Sequence, residues 1–217
     1  MNRKARMGKS AHPDVETLQS DPAFHLVYEL GFQDMVPFVL TQIKRRGIFS
    51  WLYAAVNLAM LAFIILFSLK GLLDHSLGWK SLLFQTVLGA VAGSILVIPF
   101  HELIHGLTYQ ILGARKIIFG ADLKQFIFFV TANRHPVSGS EVYLLALSPF
   151  VIINLVSVAA TITLSPRWAL CTGAFLLCHN IMCIGDFAIS NFVSKASGRV
   201  YTYDEPENKM SYFFEEL

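Results

Sequence analysis

Four long stretches with almost no charged residues constrain this chain more than any other feature of its sequence. The first, residues 48–69, contains no Asp, Glu, Lys or Arg and is about as long as the hydrocarbon core of a bilayer requires. The other apolar runs cover residues 81–112, 142–164 and 168–189. We therefore predict an all-α membrane protein with about four transmembrane helices.

The composition agrees with a membrane location. Charged residues make up 15% of the chain and hydrophobic residues 54%, whereas a soluble domain has roughly 25% charged residues. The mean hydropathy is +0.54. A net charge of +2 gives no reason to expect a nucleic-acid partner. The apolar composition indicates the lipid bilayer as the surroundings of the protein.

The distribution of basic residues predicts the orientation, because Lys and Arg near membrane spans favour the cytoplasmic side. The connections before span two and after span three contain only Lys70, Lys80 and Arg167. The remaining loop and the two terminal segments are basic near the spans. Their Lys and Arg residues are Arg3, Lys4, Arg6, Lys44, Arg45, Arg46, Arg115, Lys116, Lys124, Arg134, Lys195 and Arg199. We expect a multi-pass protein of the cell membrane with both termini in the cytoplasm.

Three regions follow from this pattern. Residues 1–47 form a cytoplasmic N-terminal segment, in which apolar and charged residues around 23–46 suit an interfacial helix. Residues 48–190 form the four-span membrane domain, and residues 191–217 form a cytoplasmic tail.

The connection between spans two and three, residues 114–141, predicts a small β-hairpin. Residues 117–119 and 126–130 are β-branched or aromatic, and Gly120, Ala121 and Asp122 between them are typical of a turn. Such a hairpin near a protease site would pair with an extended substrate by strand addition. The other interpretation is an ordinary loop that lies against the membrane interface, and both remain open.

The second span contains His101-Glu102-Leu103-Ile104-His105, an HExxH motif. The two histidines are four residues apart, so they share one helix face and can bind one zinc ion. Zinc lowers the pKa of a bound water towards about 7, and Glu102 can then accept a proton from that water. The competing interpretation is a polar cluster that bonds neighbouring helices. Ionisable residues inside a span are costly and usually functional, which favours the metal site.

A catalytic zinc usually has three protein ligands, so the motif lacks one. Asp186 and His179 lie two turns apart on one face of span four, and the spacing alone leaves both open. Asp186 lies near the cytoplasmic end of its span, at the expected depth of the HExxH pair, whereas His179 would lie about 10 Å deeper. A carboxylate also offsets the charge of zinc. We predict His101, His105 and Asp186 as ligands and Glu102 as the catalytic base.

Several of these motifs resemble those of a known family. HELIHG in a span, Ser148-Pro149 in the next span and the late His179-Asn180-x-x-Cys183-x-Gly185-Asp186 are similar to the Putative zincin peptidase family of prokaryotic membrane proteins. That family resembles the site-2 protease clan of intramembrane metalloproteases. The resemblance implies a late aspartate as third ligand, near an asparagine, and Asp186 and Asn180 match these positions. The clan's Asn-Pro-x-x-Asp-Gly order is absent here.

These features predict a zinc-dependent intramembrane or membrane-embedded metalloendopeptidase that hydrolyses a membrane-protein or peptide substrate. The alternative is a non-proteolytic membrane protein that keeps the metal for structure or for binding a partner. Glu102 favours the enzyme, because a structural site needs no base.

Overall fold

The computed structural model describes residues 12–123, 127–164 and 166–216 of the protein. The helices are α1 (Val15–Ser20), α2 (Met35–Lys44), α3 (Ile48–Leu73), α4 (Trp79–Val91), α5 (Ile98–Ile111), α6 (Gly139–Leu164), α7 (Ala169–Met182) and α8 (Ile184–Val193). The strands are β1 (Phe24–Gly31), β2 (Ile117–Asp122), β3 (Ile127–Ala132), β4 (Val137–Ser138), β5 (Arg199–Glu205) and β6 (Met210–Glu216).

The predicted apolar runs form helices. Within the described residues, three helices are long and apolar enough to cross a membrane, or four if the bent pair α7 and α8 is one span. The most apolar stretch of α3 has none of its residues buried within the molecule. Exposure of such an apolar helix surface is favourable in lipid and unfavourable in water.

The second apolar run is divided into two helices. After α4 a π-helical turn covers Ala92–Leu96, and the Val97 amide donates to the Ala92 carbonyl at 3.0 Å. Pro99 lies in the first turn of α5, where its missing N–H is not needed. Gly89 and Gly93 lie against the backbone of α7, where a Cβ would collide with it. The HExxH motif is therefore carried by a separate short helix, α5.

The prediction of an all-α fold is wrong outside the long helices. A four-stranded antiparallel sheet has the order β1-β6-β5-β4. Phe24 pairs with Glu216 and Gly31 with Met210, so the first and last strands of the chain are neighbours. Within the region 23–46, where an interfacial helix was expected, Phe24–Gly31 forms strand β1. Helical structure begins with a 3-10 turn at Phe32–Asp34 and continues as α2. The partner of β1 lies at the other end of the chain, so local sequence does not choose between helix and strand.

The predicted hairpin is present between α5 and α6. Strands β2 and β3 are antiparallel, with Ile117 opposite Ala132 and Asp122 opposite Ile127. The turn follows Asp122 and does not lie at 120–122, because Gly120 pairs with Phe129 within the ladder. Several residues used in the predictions lie outside the described part of the chain: Arg3, Lys4, Arg6, Lys124 and Phe126.

The four-stranded sheet lies between two apolar layers. On one face the short helix α1 buries Val15 and Leu18 against Tyr203 and Phe214. The other face belongs to a larger core shared with the helices, whose buried members include Leu30, Phe38, Tyr109, Val142, Ala188 and Phe213. This second core joins the sheet to α5, α6 and α8, the helices that surround the HExxH motif.

Candidate metal centre

Three of the predicted residues lie together. His101 and His105 are one turn apart on α5, and their Nε2 atoms are 3.1 Å from each other. Asp186, in the first turn of α8, has its two carboxylate oxygens at 3.4 Å from the Nε2 atoms of His101 and His105. One donor atom from each of the three side chains lies within 4.8 Å of the others.

The spacing of these donor atoms tests whether zinc fits. Zinc–nitrogen and zinc–oxygen bonds of about 2.0–2.2 Å in a tetrahedron give donor atoms about 3.3 Å apart. The Nε2–Nε2 distance of 3.1 Å and the two distances of 3.4 Å, from His101 to Oδ2 and from His105 to Oδ1 of Asp186, agree with that spacing. Two imidazoles and one carboxylate are also a donor set that zinc prefers. The residues fit a three-ligand zinc site.

A bend between α7 and α8 brings Asp186 to this point. The two helices differ in direction by 46° at Cys183. His179 precedes the bend and is fully buried, and its Nε2 lies 3.2 Å from Nδ1 of His101. The sequence placed His179 about 10 Å deeper than Asp186. In the structure, both residues reach His101, one at each nitrogen of its ring.

Proline Pro149 determines how His105 is held. A residue at this position of α6 would normally donate its N–H to the carbonyl of Leu145, four residues earlier, but proline has no N–H. The Leu145 carbonyl instead accepts from Nδ1 of His105 at 3.0 Å and from Oγ of Ser148 at 3.1 Å. Because a carbonyl only accepts, the proton of His105 lies on Nδ1, which leaves Nε2 free to bind a metal.

Glu102 lies beside the ligands and lines the same cavity. Its side chain is partly exposed. Among the described residues, no hydrogen bond or ion pair engages its carboxylate. A carboxylate that is unpaired and next to two histidine ligands is suited to exchange a proton with a group bound at the site.

A second group of donor atoms lies on the other side of His101. Its Nδ1, the Nε2 of His179 and the Sγ of Cys183 are close enough to hold a metal together. The Sγ lies 3.6 Å from Nε2 of His179. His179 and Cys183 are both fully buried, so this set has less room for a reacting group than the one with Asp186.

Asn180 does not join either donor set. Asn154 of α6 donates from Nδ2 to Oδ1 of Asn180 at 2.7 Å, and Asn180 donates back at 3.3 Å. Both bonds link α6 to α7. The side chain of Asn180 thus links two helices.

His101, His105 and Asp186 line a cavity of about 510 Å³. The cavity extends from α5 and α8 to the sheet, and α2 and β3 provide its apolar sides. Four consecutive residues of β3 line it, namely Phe128, Phe129, Val130 and Thr131. Because side chains alternate between the faces of a strand, this contact places an edge of β3 along the cavity.

Sequence reasoning missed two features of the cavity. The role of the Leu145 carbonyl could have been predicted from Pro149. A proline inside a predicted span always leaves the carbonyl four residues before it without its helical N–H donor. Asp204, which also lines the cavity, lies in a segment expected to be a polar tail. Its sequence neighbourhood gave no sign that it would lie close to α5.

An HExxH helix beside a late aspartate is an arrangement that can hold a catalytic zinc ion. The family model described as Putative zincin peptidase matches residues 94–201, which contain His101, Glu102, His105 and Asp186. This match supports a zincin-like family and implies zinc as the metal. No curated protein and no solved structure matches the chain.

Proposed function

We propose that this protein is a zinc-dependent endopeptidase whose active site lies in its membrane domain. His101, His105 and Asp186 would hold the metal, and Glu102 would serve as the base. The observation that carries the proposal is the cluster of His101, His105 and Asp186, whose donor atoms are 3.1–3.4 Å apart, at one end of a cavity large enough for a peptide segment.

The metal and the protein side chains would have different roles in the reaction. Zinc bound there would act as a Lewis acid and lower the pKa of water to about 7. Glu102 accepts the proton that the attacking water loses and then gives a proton to the nitrogen of the leaving amine. His105 is oriented by the Leu145 carbonyl, and His101 by His179. These outer contacts keep both Nε2 atoms directed at the metal position.

The position of the β3 edge favours binding of an extended substrate by strand addition. It argues against an ordinary loop that only lies against the membrane interface. Within the described residues, β3 pairs with β2 on one side only. Its other edge lies along the cavity that contains Glu102. An extended substrate there would receive main-chain hydrogen bonds from the strand and would pass the metal position in a defined direction.

We propose a cell-membrane location with both termini in the cytoplasm. Strand β1 precedes the first span, β4 lies between spans two and three, and β5 and β6 follow the last span. Membership of one sheet requires these three parts of the chain to lie on the same side of the membrane. The basic residues of the same parts favour the cytoplasmic side.

The second candidate is a non-proteolytic protein with a structural metal site. The donor set of His101, His179 and Cys183 favours it, because buried thiolate and imidazole ligands are typical of structural zinc. In that case Cys183→Ser would remove the metal. In the proposed enzyme, Cys183→Ser leaves zinc bound, and His105→Ala removes it.

Exchange of Glu102 for glutamine tests the enzyme directly. Glu102→Gln keeps the shape of the side chain but cannot accept a proton, so zinc should stay bound while peptide hydrolysis falls by about 10²–10⁴-fold. Zinc per protein and cleavage of a quenched fluorescent apolar peptide are measured on the purified full chain in mild detergent. Glu207→Gln, at an exposed glutamate of the β5–β6 turn, is the matched control and should behave as wild type. Hydrolysis by Glu102→Gln at the wild-type rate would exclude Glu102 as the base.

A further inference from the structure

A second charged group lies in the same cavity, at the end formed by the sheet. Asp204 of β5 lines this end, and its carboxylate accepts from Oγ of Ser211 at 2.6 Å and from the hydroxyl of Tyr109 at 3.4 Å. Burial raises the pKa of Asp204, and the two hydroxyl groups act in the opposite sense. This carboxylate is thus partly desolvated and held in place by neutral donors.

No cation offsets that charge among the described residues. Arg134 donates its backbone N–H to the Asp204 carbonyl, but its guanidinium pairs with Glu16 and Glu205 instead. His135 also lines the cavity, and burial lowers its pKa, which favours the neutral ring. The negative charge of Asp204 would therefore be stabilised by a cation that enters the cavity from outside.

The position of Asp204 relative to the metal ligands follows from α5. Tyr109, which contacts Asp204, is one helical turn after His105, about 6 Å along the axis. Apolar side chains of α2, β1, β3 and β6 line the cavity that contains both groups; they include Leu30, Val39, Val130 and Phe213. One cavity therefore offers the metal site, apolar walls and a separate carboxylate.

We propose that Asp204 forms a substrate subsite that binds an ammonium group, so that preferred peptides have apolar residues next to the scissile bond and a basic group beyond them. The ammonium group belongs to a lysine side chain or to a free amino terminus. This inference rests on the proposed peptidase function, because it assigns the second group in the same substrate cavity.

The competing role of Asp204 is structural, as an acceptor that ties β5 to α5 through Tyr109. The variant Asp204→Asn separates the two roles, since it keeps the size of the side chain and an oxygen acceptor but removes the charge. Glu205→Gln is the matched control: it removes the same charge from the next residue of β5, which faces the other way and pairs with Arg134.

The experiment measures binding, so that it does not depend on hydrolysis. Zinc-loaded full-length protein carrying Glu102→Gln, in detergent, is titrated against dye-labelled octapeptides of leucine and alanine. One acetylated series carries a single lysine at each position in turn, and a second carries glutamine instead. A third has no lysine and a free amino terminus. The titrations are repeated with Asp204→Asn and with Glu205→Gln added.

We expect one lysine position, or the free amino terminus, to improve binding by roughly 10- to 100-fold over the glutamine or acetylated peptide. Asp204→Asn should remove this preference without weakening the glutamine series, and Glu205→Gln should keep it. Equal binding of all three series, or a preference that survives Asp204→Asn, overturns the subsite. If instead the preference appears but wild-type protein cleaves none of the peptides, the peptidase proposal fails and the cation site stands.

Discussion

Replacing Pro149 by alanine tests how the helix α6 orients His105, a ligand of the proposed zinc site. Pro149 is buried, and its missing N–H leaves the Leu145 carbonyl to accept from Nδ1 of His105 at 3.0 Å. Alanine restores an N–H that binds this carbonyl within the helix and draws it away from the imidazole. His105 then loses the contact that orients its ring, while all three ligands remain in the chain.

We expect Pro149→Ala to weaken zinc binding and to stabilise the fold. Loss of an outer-shell partner of a metal-bound histidine lowers metal affinity by about 10- to 100-fold, or about 1.4–2.7 kcal/mol. Removal of a proline from a helix interior stabilises the helix by up to about 3 kcal/mol. Pro149→Ala should therefore bind zinc more weakly although its metal-free form unfolds at the same or a higher temperature. General damage to the fold would lower both.

The assay is a chelator competition that gives the zinc dissociation constant of the full chain in detergent, together with thermal unfolding of the metal-free form. Ser148→Ala is the control, because it removes the other donor to the Leu145 carbonyl, at 3.1 Å, and leaves the His105 contact intact. Its zinc affinity should stay within about twofold of wild type. An unchanged zinc affinity in a folded Pro149→Ala variant would refute the reasoning.

Three further predictions concern the ligands, the topology and the sheet. Asp186→Ala should lose most bound zinc and His179→Ala should retain it, as measured by mass spectrometry of the metal; the reverse pattern would assign the ligand to His179. In protein without its native cysteines, Ser138→Cys and Ser197→Cys should resist an impermeant thiol reagent in intact cells, and ready labelling would contradict the cytoplasmic side. Burial raises the pKa of Asp204 in the folded state, so stability should fall as pH rises through that pKa. Asp204→Asn should lack this decline and unfold at a higher temperature at neutral pH, whereas an unchanged midpoint would contradict the buried charge.

Features that depend on neighbouring residues could be predicted from the amino-acid sequence alone. Apolar runs of about twenty residues predict membrane-length helices whatever they pack against. The four-residue spacing of His101 and His105 places them on one helix face for the same local reason. The choice of Asp186 relied on topology, and the structure brings its carboxylate to 3.4 Å from both rings.

Contacts between segments far apart in the chain could not be predicted and are seen in the folded protein. Strand β1 pairs with β6 across almost the whole chain, and such a partner leaves no periodicity in the local sequence. The bend at Cys183 lets His179 and Asp186 reach opposite nitrogens of one imidazole, against the depth expected for a straight helix. Asp204 likewise joins the cavity only because the sheet packs on α5. In each case the contact is set by the packing of surfaces far apart in the chain, which residue spacing does not encode.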